Sequence, residues 1–201
     1  MAEHKILIAG GGTGGHLFPA LAIGEEIHHR EPGAKIHYVG SNFGLEAKVF
    51  PVKDVWHTLL PIRGFQRGIS LQSLGRNSLL PVRIIRSMLK IRSLMNEFLP
   101  QVVVGTGGYA SALPLYMASK KNNPLPIILQ EQNSYPGMTT RWFADKAKTI
   151  CVAFNDANTH LESDTVLTGN PVRHGIADGN PQRGFKEFKL AEDHKTIFLF
   201  G

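Results

Sequence analysis

Short apolar runs alternate with longer segments of helical periodicity along this chain, and the alternation predicts its architecture. Residues 5–9 (Lys-Ile-Leu-Ile-Ala) read as a buried strand. A helix fits 16–30, with Leu17, Leu21 and Ile27 toward the core, Pro19 in its first turn and Pro32-Gly33 beyond its end. Residues 36–39 read as a second strand, 45–49 as a short helix and 56–60 as a third strand. Residues 71–98 are mostly helical, with a break expected near Pro81. Then come a strand at 101–104, a helix over 109–120 that contains Pro114, a strand at 125–129 and a polar loop at 130–137. A helix through Ala144 and strands at 149–153 and 165–167 complete the series. Strand and helix alternating at this spacing predict an α/β fold, a Rossmann-like parallel sheet flanked by helices.

After Arg173 the texture turns polar, with glycine and proline, and a domain boundary is expected there. Residues 1–173 would form the N-terminal domain, and 174–201 an interdomain segment with the first strand of a second domain. Residues 195–200 read as that strand. A lone apolar strand has nothing of its own to pair with. The expectation is therefore a longer protein whose second domain lies almost entirely outside this chain.

Composition narrows the classes. With 42% hydrophobic and 19% charged residues, the chain is expected to fold as a globule, not to remain disordered. Its one cysteine, Cys151, excludes an internal disulfide framework and a multi-cysteine zinc site, and its apolar neighbours suggest a buried strand thiol. The nine histidines show no metal-site spacing. No run reaches the roughly 18 apolar residues of a spanning helix, and no signal-peptide pattern opens the chain. The expected location is the cytoplasm or the cytoplasmic face of a membrane.

Two glycine-rich turns follow strands and precede helices: Gly10 to Gly15, and Gly105 to Gly108. Free N–H groups and the helix dipole favour an anion at such a place, and a diphosphate is the natural guest. The dinucleotide spacing G-x-G-x-x-G is met by Gly10, Gly12 and Gly15, but the second strand ends Tyr38-Val39-Gly40-Ser41 without the acid that holds a ribose diol. That weakens a nicotinamide-dependent oxidoreductase. No Gly-Lys-Ser/Thr follows either loop, so a P-loop ATPase is out. His16 directly follows the first loop. A helix start favours the neutral imidazole that a general base requires, with substrate binding or a structural role as the alternatives. Glu131-Gln132-Asn133 follows a strand and offers an acceptor and two amides to sugar hydroxyls, or simply forms a turn and helix cap.

Charge adds a further feature. The formal net charge is +6, and from Val55 through Asn96 there is no Asp or Glu. Seven basic residues, Arg63, Arg67, Arg76, Arg83, Arg86, Lys90 and Arg92, are interleaved there with apolar ones such as Leu79 and Leu80. This favours a surface lying on anionic lipid. Nucleic acid is the rival, but Phe65 is the only aromatic in the segment from Arg63, and stacking needs several. A buried helix with a basic solvent face is the plainer reading.

Taken in order, these segments resemble the MurG family. The matching blocks are Gly11 to His16 with Phe18-Pro19-Ala20, Arg63-Gly64 with Arg67-Gly68, Gly105 to Ser111, Glu131-Gln132-Asn133, and Gly169 to Arg173. The resemblance implies the GT-B fold, two Rossmann-like domains around a cleft. It implies an inverting transferase that moves N-acetylglucosamine (GlcNAc) from UDP-GlcNAc to the C4 hydroxyl of the N-acetylmuramic acid (MurNAc) of lipid I. The product is lipid II, for peptidoglycan. Thr13, Gly14, Gly15 and His16 would line the acceptor crevice, His16 as candidate base. Gly107, Gly108 and Tyr109 would help hold the acceptor diphosphate. Glu131 and Asn133 would bind or orient sugars, and Arg173 would touch the donor side. Arg76, Leu79, Leu80, Arg83, Arg86 and Lys90 would face the membrane.

The resemblance further implies a peripheral protein on the cytoplasmic face of the bacterial inner membrane. Its partners would be lipid I and anionic lipids, without nucleic acid. No cofactor or metal is expected to be required, since the sequence has no Asp-x-Asp motif, while divalent-ion assistance stays open. The 201 residues alone are expected to be inactive. The alternatives are a GT-B transferase for another acceptor and a non-catalytic membrane-binding module. Two positions depart from the family pattern: Gln130, where many members carry His, and Thr140, where the family has an Asn amide.

Overall fold

The computed structural model describes residues 4–64, 78–120, 124–176, 178–191, 193–197 and 199. Among these residues, seven parallel strands form one sheet in the order β3-β2-β1-β4-β5-β6-β7. They are β1 (Lys5–Ala9), β2 (Lys35–Ser41), β3 (His57–Leu60), β4 (Val102–Gly105), β5 (Ile127–Glu131), β6 (Thr149–Val152) and β7 (Thr165–Leu167). The helices are α1 (Gly14–Arg30), α2 (Glu46–Val52), α3 (Leu80–Phe98), α4 (Tyr109–Ser119), α5 (Met138–Phe143) and α6 (Pro181–Phe188).

Strand alternation divides the core into two layers. Leu7 and Ala9 join Val103, Leu115, Leu129 and α3's Ile91 and Met95 on one face. Ile6 and Ile8 join Leu17, Leu21 and Phe50 on the other. Two elements flank β1: β2 on one side and β4 on the other. The order of strands reverses between β1 and β4, and ligands of open α/β sheets bind in the crevice at such a point, beyond the strands' carboxyl ends. Both glycine loops leave the sheet there.

The helices differ from expectation in ways that have local causes. α1 begins at Gly14, two residues early, so Pro19 falls in its second turn and not its first. Pro114 likewise lies inside α4. The break expected near Pro81 is present: Ser78 is helical, Leu79 forms a turn, and α3 starts afresh at Leu80 with Pro81 in its opening turn, where its missing N–H costs nothing. The part of the expected helix before Ser78 lies outside the described residues. The expected strand at 195–200 is not formed among the described residues, where Ile197 and Leu199 are 92% and 93% exposed. α6 appears instead in the segment read as polar. Asn180 caps it, its side chain accepting from the Arg183 N–H at 3.2 Å, with Pro181 opening the helix.

One histidine ties the sheet to pH. His37 on β2 hydrogen-bonds Thr58 of β3 at 2.9 Å and stacks near Phe98. Burial, and then the His57 imidazole, lower its pKa from the ordinary 6.5 to about 4. The unfolded chain therefore takes up this proton at a higher pH than the folded one. Stability from this group is present above pH 6.5 and is lost as pH falls toward about 4. The His37→Gln variant is expected to show a flatter dependence of denaturant midpoint on pH across that window. Parallel curves for the two proteins would contradict the assignment.

Candidate functional site at the switch point

The two glycine loops meet over His16. The first loop joins β1 to α1 and crosses to β2, where the Gly10 N–H donates to Val39 O at 3.1 Å. Its Gly12 has φ +95 and packs so closely on the Tyr109 ring that a Cβ would lie 2.8 Å from it. Such a backbone needs glycine twice over, for the dihedral and for the space. The second loop joins β4 to α4 with Gly107 at φ +95 and Gly108 at φ +77. A Cβ on Gly107 would lie 2.7 Å from His16 Nδ1, so this glycine makes room for the imidazole. Thr106, fully buried, donates its hydroxyl to His16 O at 2.8 Å and binds the two loops together.

The imidazole itself is held in one tautomer. Its Nδ1 lies 3.0 Å from Thr106 O and 3.0 Å from Gln132 Oε1, both acceptors. The Gln132 amide is oriented by its own Nε2, which donates to Thr106 O at 2.8 Å and to Gln130 O at 3.2 Å. Two acceptors at Nδ1 require the proton there, which leaves the Nε2 lone pair free to accept one. Gln132 belonged to a motif the sequence singled out, but its service to His16 depends on a contact across 116 residues of chain.

A cavity of about 500 Å³ opens beside this histidine. Gly107, Gly108 and Tyr109 line it at the second loop, Leu80 and Ile84 from α3, and Met138 and Trp142 from α5. Its wall is mostly apolar, and Arg63 supplies a cation. The Arg63 guanidinium lies 4.0 Å from the Phe43 ring centroid, and its buried Nε has no partner among the described residues. The sequence placed Arg63 in the basic stretch read as lipid-facing, whereas its place in the cavity wall and its buried, unused donor mark it for the cavity.

The other expected site residues divide. Glu131 reaches the cavity wall but is nearly fully buried and acts inward. Its carboxylate accepts from the Asn133 N–H at 3.1 Å, Asn133 Nδ2 at 2.8 Å, the Gly137 N–H at 2.9 Å and the Thr140 hydroxyl at 2.6 Å. It fixes the turn between β5 and α5, and Thr140 serves here as one of its donors. Asn133 is exposed beside it. Gln130 is buried and has no ionisable group to offer. Thr13 and Gly15 are exposed at the start of α1, outside the cavity lining, with Gly14 partly buried between them. The Thr13 side chain makes no capping bond and the first turn holds no acid, so the α1 amides there face solvent uncapped. Arg173 stacks over Phe18 of α1, 5.1 Å from the ring centroid.

On α3, the side chains at 82, 85 and 89 form an exposed apolar stripe of Val, Ile and Leu, with exposed Leu79 at its head. Arg86 is exposed beside it, while Arg83 leans on the Phe43 ring at 5.2 Å and the Lys90 ammonium donates to Leu59 O at 2.9 Å. Leu80 turns toward the cavity. Arg76 lies outside the described residues. No helix among the described residues is long and apolar enough to cross a membrane.

Two other clusters stand apart. Cys151 lies on β6 as expected but is half-buried, not buried; burial still pushes its thiol up, with a hydrogen bond to Thr168 pulling the other way. Glu26, His29 and His174 bring possible ligand atoms within 4.8 Å of one another at the far end of α1. Arg30 and His174 already pair with Glu26 and hold its carboxyl below the usual range.

A doubly wound parallel sheet with two glycine loops at its switch point is a Rossmann-like domain, the architecture of each half of a GT-B glycosyltransferase. The known crystal structure of the MurG of Acinetobacter baumannii has this fold, with a TM-score of 0.66 and 23% identity over 88% of this chain and 47% of that one. Residues 6–152 match the glycosyltransferase family 28 N-terminal domain. The chain is 39% identical over its whole length to the UDP-N-acetylglucosamine–N-acetylmuramyl-(pentapeptide) pyrophosphoryl-undecaprenol N-acetylglucosamine transferase of Flavobacterium psychrophilum, covering 54% of it. It is 41% identical to the protein of that name from Bacteroides thetaiotaomicron, over 99% of this chain and 53% of the relative. The chain belongs to glycosyltransferase family 28, in its MurG branch. It spans about half the length of these curated relatives.

Proposed function

We propose that this chain is the acceptor-binding half of an inverting transferase that moves GlcNAc from UDP-GlcNAc to the C4 hydroxyl of the MurNAc of lipid I, giving lipid II. The observation that carries the reading is His16: an imidazole with its Nδ1 proton fixed by two carbonyl-type oxygens, beside an apolar cavity, between two glycine loops. The names of the family 28 relatives support the donor and the acceptor.

In this reading the hydroxyl oxygen attacks the anomeric carbon from the face opposite UDP. The bond from that carbon to the diphosphate oxygen breaks and UDP leaves. His16 Nε2 takes the hydroxyl proton. The acceptor diphosphate is held by the open amides of Gly14 and Gly15 and of the Gly107 to Tyr109 turn, with Arg63 as counter-charge. The first isoprene units lie in the cavity between α3, α4 and α5. Asn133 serves the sugars, and Glu131 serves them indirectly by shaping its loop. Arg173 lies toward the donor. No metal or cofactor is required in this scheme. The stripe on α3 rests on anionic lipid at the cytoplasmic face of the membrane, as a peripheral contact.

The test is transfer of labelled GlcNAc from UDP-GlcNAc to a lipid I analogue, by a full-length protein that contains this chain. Labelled disaccharide-lipid is expected. A folded, full-length protein that transfers to other lipid acceptors, or to none, would overturn the reading.

A further inference from the structure

Glu46 was absent from every sequence-based expectation, yet its carboxylate is enclosed by the first glycine loop and the end of β2. It opens α2 and is fully buried. Its two carboxylate oxygens lie 3.1 and 3.0 Å from the Gly12 nitrogen, and the Ser41 N–H donates to it at 2.7 Å. Three glycines surround it. A Cβ on Gly11, Gly40 or Gly44 would come within 2.3 to 2.4 Å of Glu46 atoms. Burying a carboxylate is costly unless donors meet it, and here the donors are backbone amides from the first glycine loop and from the end of β2.

We propose that Glu46 is the built-in ligand of the first glycine loop and a positioning residue for His16. The loop does present an amide to an anion, as its sequence suggests, but at Gly12 the anion is the protein's own. Gly12 is thereby tied to the end of β2 and pressed onto the Tyr109 ring. The chain then runs through Thr13 directly into the first turn of α1, which carries His16. A shift of the loop would move the imidazole against Thr106 and Gln132, the partners that set its tautomer. A substrate diphosphate is left with the amides beyond Gly12. The catalytic part of this proposal rests on the proposed function; the loop-holding part does not.

Glu46→Gln keeps the shape but turns an N–H₂ group toward the Gly12 N–H. In the 201-residue chain, amide hydrogen exchange at Gly12 and Ser41 is expected to quicken about tenfold or more, while Val104 in the sheet centre stays as in the wild type. In the full-length protein, kcat is expected to fall about tenfold or more with the KM for UDP-GlcNAc within about twofold, the signature of a misplaced base. Glu46→Asp keeps the charge on a shorter stem, and partial recovery of kcat relative to Glu46→Gln is expected. Unchanged exchange at Gly12 and Ser41 overturns the proposal. So does a kcat loss that merely follows the unfolded fraction. If Glu46→Gln does not fold, Glu46→Asp is read against the wild type by the same two measurements. If the wild-type full-length protein transfers nothing, the proposed function fails, and the exchange result alone decides the role of Glu46.

Discussion

Replacing His16 by alanine is expected to lower GlcNAc transfer by about 100-fold or more in a full-length protein, the usual scale for losing a general base. The effect should fall on kcat, with the acceptor KM little changed, because the base acts on a proton that moves only in the transition state. The geometry gives the reason. Nδ1 is committed to Thr106 O and Gln132 Oε1, so the ring has one basic nitrogen and one orientation. The measurement is initial rates for wild type and His16→Ala at saturating UDP-GlcNAc across a range of acceptor. A loss below tenfold would demote His16 to binding or structure. A rise in acceptor KM alone would assign it to holding the substrate.

The second large effect concerns the membrane. The Arg83→Gln/Arg86→Gln double variant is expected to bind anionic vesicles about 30-fold more weakly, taking about 1 kcal/mol for each basic residue near a charged surface. Binding to neutral vesicles should change little, since the apolar stripe of Val82, Ile85 and Leu89 remains. Raised salt should erase most of the difference between the proteins. Vesicle co-sedimentation over a lipid titration measures all three. Equal binding of the double variant and the wild type to anionic vesicles would mean that α3 carries an ordinary solvated face.

What could be read from the sequence follows the range of the interactions involved. The strands were legible because each is a short apolar run ended by glycine or polar residues, and both faces of a parallel sheet are buried. β5 nevertheless runs on to Glu131, through polar positions that composition assigns to a loop. Thr140 meets the Glu131 carboxylate from nine residues further on and Gln132 donates to Gln130 Oε1, while the buried Gln130 Nε2 has no partner among the described residues. α6 carries Phe185 and Phe188 on one face but buries neither fully, and eight residues with two aromatics make a short pattern to read. Its Asn180-Pro181 start was the available signal. The two glycine loops and His16 were legible through spacing, since a strand, a tight turn and a helix start must follow one another locally. Glu46 was not, because a glutamate in a short helix looks solvated until a loop 34 residues away supplies its donors. Arg63 stood in plain view, but its unpartnered Nε is a property of packing.

The most direct test of the central claim, that this chain is the acceptor half and holds a lipid diphosphate beside His16, is nuclear magnetic resonance of the labelled 201-residue chain titrated with a soluble lipid I analogue. The account predicts saturable shifts at the amides of Gly107, Gly108 and Tyr109, at the Arg63 guanidinium and at the His16 ring, with UDP-GlcNAc alone producing none of them. Saturable shifts from UDP-GlcNAc at these positions, with none from the lipid I analogue, would contradict it.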